Sequence, residues 1–378
     1  MAQRVPVPGF RGPTNQLSAQ LIDPERTINI FQENTAPGVT RVPQAFVGTP
    51  GLRPWTVLGA APVRALFQQD RRAWAVGGGN VFEIFNPPSS ALRASIASDE
   101  YLASICSNGT AGNQLLIVSG LHAYVYDLGA NTVNGIDTGD LPKPRMCDFM
   151  DGYGIVSQWE SRTFQISALE DFSSWDALDV FERSEGSDNI QSLIRKNREV
   201  WVLGTKTSEV WYDSGDALTP FQPIQGTFIE HGSAAPFSVQ RFGNTLAWLS
   251  QAETGQGEVV LANGYQPQQV TSYAIANFIK SGALAADGDL RLAKGWSYQE
   301  DGHSFYLLVL PSATASYGFD ITMPGLWHER ARWTGSNYIA HVVQTHMAFA
   351  GRHLVGDRFS GAIYDQSRSY FNEQIVSP

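Results

Sequence analysis

Apolar positions along the chain recur as paired short runs, each pair joined by a Gly/Ser/Asn-rich turn. The first pair is Ala73–Val76 and Val81–Phe85 around Gly77–Asn80; the second is Leu115–Val118 and Ala123–Asp127 around Ser119–Leu121. Gly154–Ser157 and Thr163–Ser167 follow, then Val200–Leu203 and Glu209–Asp213, then Leu246–Ser250 and Glu258–Ala262. The sixth is Phe305–Leu310 with Tyr317–Ile321, and the seventh is Met347–Ala350, His353–Gly356 and Ala362–Asp365. Runs of this length, bounded by turn residues, read as β-hairpins. The turns repeat at intervals of roughly 40 to 60 residues, the length of a four-stranded propeller blade. One hairpin cannot bury its own apolar face, but a closed ring of them shares a core and loses its free edges. A β-sandwich spaces its turns at about 8–12 residues with no longer period. The pattern therefore predicts an all-β fold, a β-propeller of six or seven blades with few short helices.

Two segments carry helix signals. Ser272–Ile279 has a Ser cap with Ala274, Ile275, Phe278 and Ile279 at helical spacing. Ser98–Cys106 has a similar cap, with Asp99 and Glu100 in its first turn. Residues 1–20, rich in Pro, Gly and Gln, read as an N-terminal arm, and 21–378 as a single propeller domain.

Composition narrows the function. The 378 residues are 43% hydrophobic and 16% charged, which excludes a disordered chain. The net charge of −10 disfavours tight DNA binding, which depends on neutralising phosphates. The densest basic group, Arg195, Lys196 and Arg198, reads as a solvated turn. Cys106 and Cys147 fit neither metal nor redox spacing and are expected as free thiols. The apolar runs are strand-sized, so no transmembrane helix is expected, and Met1–Gly12 lacks the apolar core of a signal peptide.

Catalytic constellations are hard to find. His341 and His346 are five apart, which suits neither a helical zinc pair nor alternate strand positions. Asp287-Gly-Asp289 and Asp301-Gly-His303 read as turns, short of a calcium loop. Gly77-Gly78-Gly79-Asn80 lacks the Lys and Ser/Thr of a phosphate loop. Asp213-Ser214-Gly215-Asp216 only echoes the sialidase repeat, and Asp176 with Asp179 is one of many acidic pairs that could be drawn. No catalytic, metal or cofactor residue is assigned, and no cofactor is expected. A glycan-degrading or receptor-binding propeller is the alternative, resting on fold analogy alone.

One set of segments points to a family. It comprises Ile166–Asp179, with its Glu170-Asp171-Phe172-Ser173-Ser174-Trp175 core, then Arg198–Gly204, Ser208–Gly215 and Ile229–Val239. Asn263-Gly264-Tyr265, Gln299–Tyr306, Gly325–Arg330 and His353–Asp357 continue it, and Gly48–Leu52 precedes it. Together these resemble the packaged-DNA-stabilisation family, the tail-hub or nozzle proteins of short-tailed bacteriophages. The resemblance implies a non-enzymatic virion protein of the phage tail, built in the host cytoplasm. It implies a homo-oligomeric ring, a hexamer, below the portal. The expected partners are a head-to-tail adaptor and a tail needle or fibre protein, with double-stranded DNA passing through the lumen. The same residues have structural uses. Trp175, Trp201 and Trp211 suit blade packing, Gly204, Gly215 and Gly232 suit positive-φ turns, and Asp179 and Asp213 suit turn caps.

Overall fold

Six four-stranded antiparallel blades and one five-stranded blade, with two further two-stranded pairings, make up the strands among the described residues of a computed structural model covering 27–34, 44–137, 139–251, 257–280, 290–311, 315–323 and 325–376. The expected arm at 1–20 lies outside the described residues, as do Asp287 and Asp289.

Blade 1 runs Val63–Gln69, Arg72–Gly77, Asn80–Phe85 and Ser89–Ser95. Blade 2 is Ser104–Ser107, Gln114–Ser119, His122–Asp127 and Thr132–Gly135. Blade 3 is Pro144–Met150, Tyr153–Gln158, Thr163–Ala168 and Asp171–Glu182. Blade 4 is Ile190–Lys196, Glu199–Gly204, Ser208–Asp213 and Phe221–Pro223. In blade 5 two short strands, Gly232–Ser233 and Gln240–Phe242, share the innermost place against Thr245–Gln251, followed by Gly257–Asn263 and Gln266–Gln269. Blade 6 is Lys294–Glu300, His303–Leu310, Ala315–Asp320 and Trp327–Glu329. Blade 7 takes Val343–Phe349, Arg352–Asp357 and Ala362–Ser367 from the C-terminal side and its outermost strand, Gly51–Val57, from the N-terminal side. That last pairing runs from Gly51 opposite Ser367 to Val57 opposite Ala362 and closes the ring.

In blades 1 to 6 the hairpins read from sequence are the two middle strands. They are largely apolar because both faces are covered, with buried exceptions such as Glu83, Gln165 and Glu209. In blade 1, Trp74 and Val76 pack toward blade 2 with Leu115 and Ile117, while Ala73 and Ala75 pack toward blade 7 with Met347 and Leu354. A separate apolar cluster fills each of the seven blade boundaries. Trp201 joins Trp248 and Val260 between blades 4 and 5, and Trp211 joins Ile155 and Phe164 between blades 3 and 4. Trp175 packs with Val118 and Val125 between blades 2 and 3. Cys106 and Cys147 are buried free thiols in that same boundary.

The turns have simple chemistry. Asp70, Asp151, Asn197, Asp301 and Ala350, between the first two strands of their blades, have φ of 53°, 49°, 57°, 49° and 52°, the left-handed region that tight hairpins require. Asp127, Asp213 and Asp320 each end a third strand and accept through Oδ1 from the backbone N–H two residues on, at 2.8, 2.8 and 2.9 Å. Asp176, not Asp179, makes the corresponding bond, to the Leu178 N–H at 2.9 Å.

Two sequence expectations change and one holds. Ser98–Cys106 is not a helix: Ser104–Ser107 is the innermost strand of blade 2, and Asp99 accepts from the Tyr101 N–H at 3.1 Å while also bonding the arginine side chains of blades 1 and 3. Ser272 does cap a helix, Tyr273–Phe278, by accepting from the Ile275 N–H at 3.3 Å. Gly215 has φ of 75°, but Gly204 and Gly232 are needed for close approach rather than for positive φ. A Cβ on Gly204 would lie 2.0 Å from Arg183 Nη1, and one on Gly232 would lie 2.3 Å from the Lys206 backbone nitrogen.

Candidate functional site

The innermost strands surround an axial cavity of about 370 Å³, lined by Arg64, Leu66, Cys147, Asp148, Ile194, Arg241, Trp296, Gln344 and neighbouring residues. At the end where these strands begin, Tyr101, Leu102, Met146 and Phe237 meet in a small apolar plug.

Around this plug the inner strands share a device. In blades 1, 3, 4 and 7 the ladder between the first two strands skips one residue, from Val63 to Ala65, Pro144 to Met146, Ile190 to Ser192 and Val343 to Thr345. The skipped residues are Arg64, Arg145, Gln191 and Gln344, all buried. A bulge turns a side chain out of its expected direction, and here it sends each across a blade boundary. Arg64 donates to the Tyr101 carbonyl (2.8 Å), to Ser119 Oγ (2.8 Å) and to Asp99 (2.9 Å). Arg145 reaches the other oxygen of Asp99 at 2.6 Å and lies 4.4 Å from the ring centres of both Tyr101 and Trp159. Gln344 donates to the Val63 carbonyl at 2.8 Å. Gln191 donates to the Ala234 carbonyl at 3.4 Å. Burial pulls the Arg64 pKa down, against the charge and hydrogen bond of Asp99.

A second clamp joins blades 3 and 4. Arg183, fully buried, pairs with Asp188 at 3.1 Å and Glu209 at 3.5 Å and donates to Thr207 Oγ1 at 2.7 Å. Burial alone would raise the Asp188 carboxyl. The Thr207 hydroxyl, the Lys206 N–H and Arg183 hold it below its ordinary value. This is the guanidinium against which Gly204 packs.

At the opposite mouth Asp148 accepts from the Arg195 N–H at 2.7 Å and pairs with Arg241. The basic group of the sequence thus sits on a hairpin turn, with Arg198 exposed and paired to Asp151 at 2.9 Å. His346 and His353 share a hydrogen bond of 3.0 Å, His303 bonds Asp320 at 2.6 Å, and His341 bonds Glu373 at 2.8 Å. Asp176 and Asp179 lie on the outermost strand of blade 3, on the flank of the ring. Burial first, then the charge of Asp176, raises the Asp179 carboxyl. Among the described residues no three or more metal-binding side chains converge, and no helix is long and apolar enough to cross a membrane. Sequence reasoning singled out none of Arg64, Arg145, Gln191 and Gln344. Their signal is a polar residue within a short apolar run, which also marks many surface strands.

Fold and interior together define a seven-bladed β-propeller whose axial polar groups mostly tie blades to one another. Over residues 65–369 the chain matches the family described as "Bacteriophage P22 Gp10, beta-propeller", and it belongs to that family. No curated protein matches it. Among solved structures it is similar to virginiamycin B lyase from Staphylococcus aureus, with a TM-score of 0.55 at 7% identity, covering 84% of this chain and 99% of that one. It is similar to the extracellular domain of BT4673 from B. thetaiotaomicron, with a TM-score of 0.54 at 10% identity, covering 84% of this chain and 40% of that longer one. YCF48 from Cyanidioschyzon merolae gives a TM-score of 0.50 at 11% identity, covering 83% of this chain and 98% of its own. At these identities the likeness is one of fold alone. Membership of the phage family fits a structural component of the virion.

Proposed function

We propose that this chain is a structural, non-enzymatic tail protein that forms a ring, a nozzle or hub below the portal and adaptor, completes the DNA exit channel and retains packaged DNA. The observation that carries this reading is the family match over residues 65–369, from the first strand of blade 1 to just past Ala362–Ser367 of blade 7.

Three physical features support it. The axial cavity of about 370 Å³ is plugged at one end and far too small for a duplex whose major groove alone is about 12 Å wide. DNA would therefore pass through a lumen between subunits. The net charge of −10 per chain disfavours a wall that grips phosphates. The flanks also differ in a way that suits head-to-tail contact. The outer edge of blades 3 and 4 exposes Leu178 and Leu218, at 88% and 87%, beside Asp176, Asp179 and Asp216. Three blades away, a groove of about 840 Å³ is walled by Arg332, Trp333, Arg368, Tyr370 and Phe371. The exposed leucines fit the aromatic part of this groove, whose two arginines share it with Asp301 and Glu373.

The test is the DNA content of particles assembled without this protein. They should package DNA and then lose it. Particles that stay filled would refute the channel-closing role. A glycan-degrading protein would instead leave DNA retained and penetration of the host surface blocked.

A further inference from the structure

Blades 3 and 4 repeat one short motif at their outer edge. Asp176-Ala177-Leu178-Asp179-Val180-Phe181 and Asp216-Ala217-Leu218-Thr219-Pro220-Phe221 both read Asp-Ala-Leu-x-x-Phe. In each copy the phenylalanine turns inward. The Phe181 and Phe221 rings meet edge to face with their centres 5.9 Å apart, at the apolar boundary between the two blades. In each copy the aspartate braces the leucine. Asp176 Oδ1 accepts from the Leu178 N–H at 2.9 Å, and Asp216 Oδ1 accepts from the Leu218 N–H at 2.8 Å and the Thr219 N–H at 2.9 Å. The buried Gln165 amide donates to the Asp176 carbonyl at 2.8 Å, and the Ser214 N–H closes the second loop on the Pro220 carbonyl at 2.7 Å. Two almost wholly exposed leucines are thus held on braced backbone at neighbouring blade edges.

A leucine that only spans a loop needs no such bracing. An apolar group already fixed in place is buried by a partner with little further loss of conformational freedom. The groove on the far flank has matching chemistry. Its Trp333 lies on a hairpin, Ala331–Trp333 with Tyr338–Ala340, and packs on Tyr338 with ring centres 4.8 Å apart. Asn29 fixes that hairpin by donating to the Ala331 carbonyl at 2.7 Å and accepting from the Ala331 N–H at 2.9 Å. Phe371, 99% exposed, lines the same groove. Arg368 pairs with Asp301 at 2.9 Å and Glu373 with His341 at 2.8 Å, so these charges are answered within the chain. What is left for a partner to cover is aromatic. The leucines of the same molecule stand three blades away on a closed ring of blades and cannot reach it.

The geometry points to a heterologous contact between two copies of this chain, in which Leu178 and Leu218 of one subunit seat against Trp333 and Phe371 in the groove of the next. It rests on the ring-forming reading above and names the surfaces that would join the ring. Because the two faces differ, each subunit in such a contact still offers one leucine pair or one groove to a further copy, and the chain of contacts grows until it closes.

The experiment follows the full-length protein by sedimentation over a range of concentrations. The wild type should self-associate. Leu178→Ser combined with Leu218→Ser, and separately Trp333→Ser combined with Phe371→Ser, should each weaken association at least tenfold. The leucine variant should keep the wild-type Tm, which separates lost contact from lost folding. Leu92→Ser, an exposed leucine of blade 1, should associate like the wild type. Mixed in equal amounts, the two double variants should form a one-to-one pair and nothing larger, since one intact leucine pair and one intact groove remain between them. A mixture that stays monomeric, or a leucine variant that associates like the wild type, overturns the contact. So does a wild type that stays monomeric throughout, whereas the nozzle role itself stands or falls on the DNA content of particles.

Discussion

Asp99, on the connector between blades 1 and 2, holds Arg145 of blade 3 at 2.6 Å while its other oxygen holds Arg64 of blade 1 at 2.9 Å. Three blades are thereby fastened through one carboxylate. Asp99→Ala strands two buried guanidiniums, so it should cost about 3 kcal/mol. Urea melts check this; a loss below about 1 kcal/mol would mean that water replaces the carboxylate.

Trp201 is fully buried between blades 4 and 5, with its ring centre 6.2 Å from that of Trp248. Trp201→Ala should cost roughly 3–5 kcal/mol in denaturant melts. Arg198→Ala, on the neighbouring exposed turn, should stay within about 0.5 kcal/mol.

The atoms nearest a side chain at Gly232 are backbone: an added Cβ would lie 2.3 Å from Lys206 N, 2.4 Å from Thr205 C and 2.5 Å from Gly204 O. None of these atoms can rotate aside. Gly232→Ala should therefore destabilise by about 1–3 kcal/mol, and Gly226→Ala, strained by its φ of 78° but with open space around it, by less. Thermal melts of the two variants side by side decide the order.

His346 is kept neutral: burial, then the neighbouring His353, lowers its pKa to about 3. The unfolded chain takes up this proton near pH 6.5 and the folded one only near pH 3, so stability is full above about 6.5 and falls as the pH drops between these values. Burial, then Arg330, lowers His328 in the same direction. His346→Gln should flatten part of the acid-side slope in urea melts run from pH 7.5 to 4.5. An unchanged slope would mean that His346 titrates normally in the fold.

The middle strands of each blade were legible because both faces are buried, which leaves unbroken apolar runs such as Leu115–Val118 and Val200–Leu203. The flanking strands were not. Ser89–Ser95 and Gln266–Gln269 sit at blade edges and are too polar to stand out from loops. Ser98-Asp99-Glu100 resembled a helix cap because local sequence cannot tell that Asp99 serves arginines 35 and 46 residues away. The axial clamps stayed hidden for the same reason: a bulge in an inner strand has no composition of its own. The family resemblance supplied what periodicity could not, a reading of what the ring of blades is for.

The strand Gly51–Val57 has no place in any blade until Ala362–Ser367 exists to receive it. During synthesis it must wait, unpaired, while almost the whole ring is laid down behind it, so closure is the last topological event the ribosome permits. A chain cut short before residue 362 keeps an open edge at both ends of its arc, and open edges recruit other strands. Length is thus proofread by geometry: only a polypeptide that reaches its seventh blade can present the closed rim on which a larger assembly could be stacked.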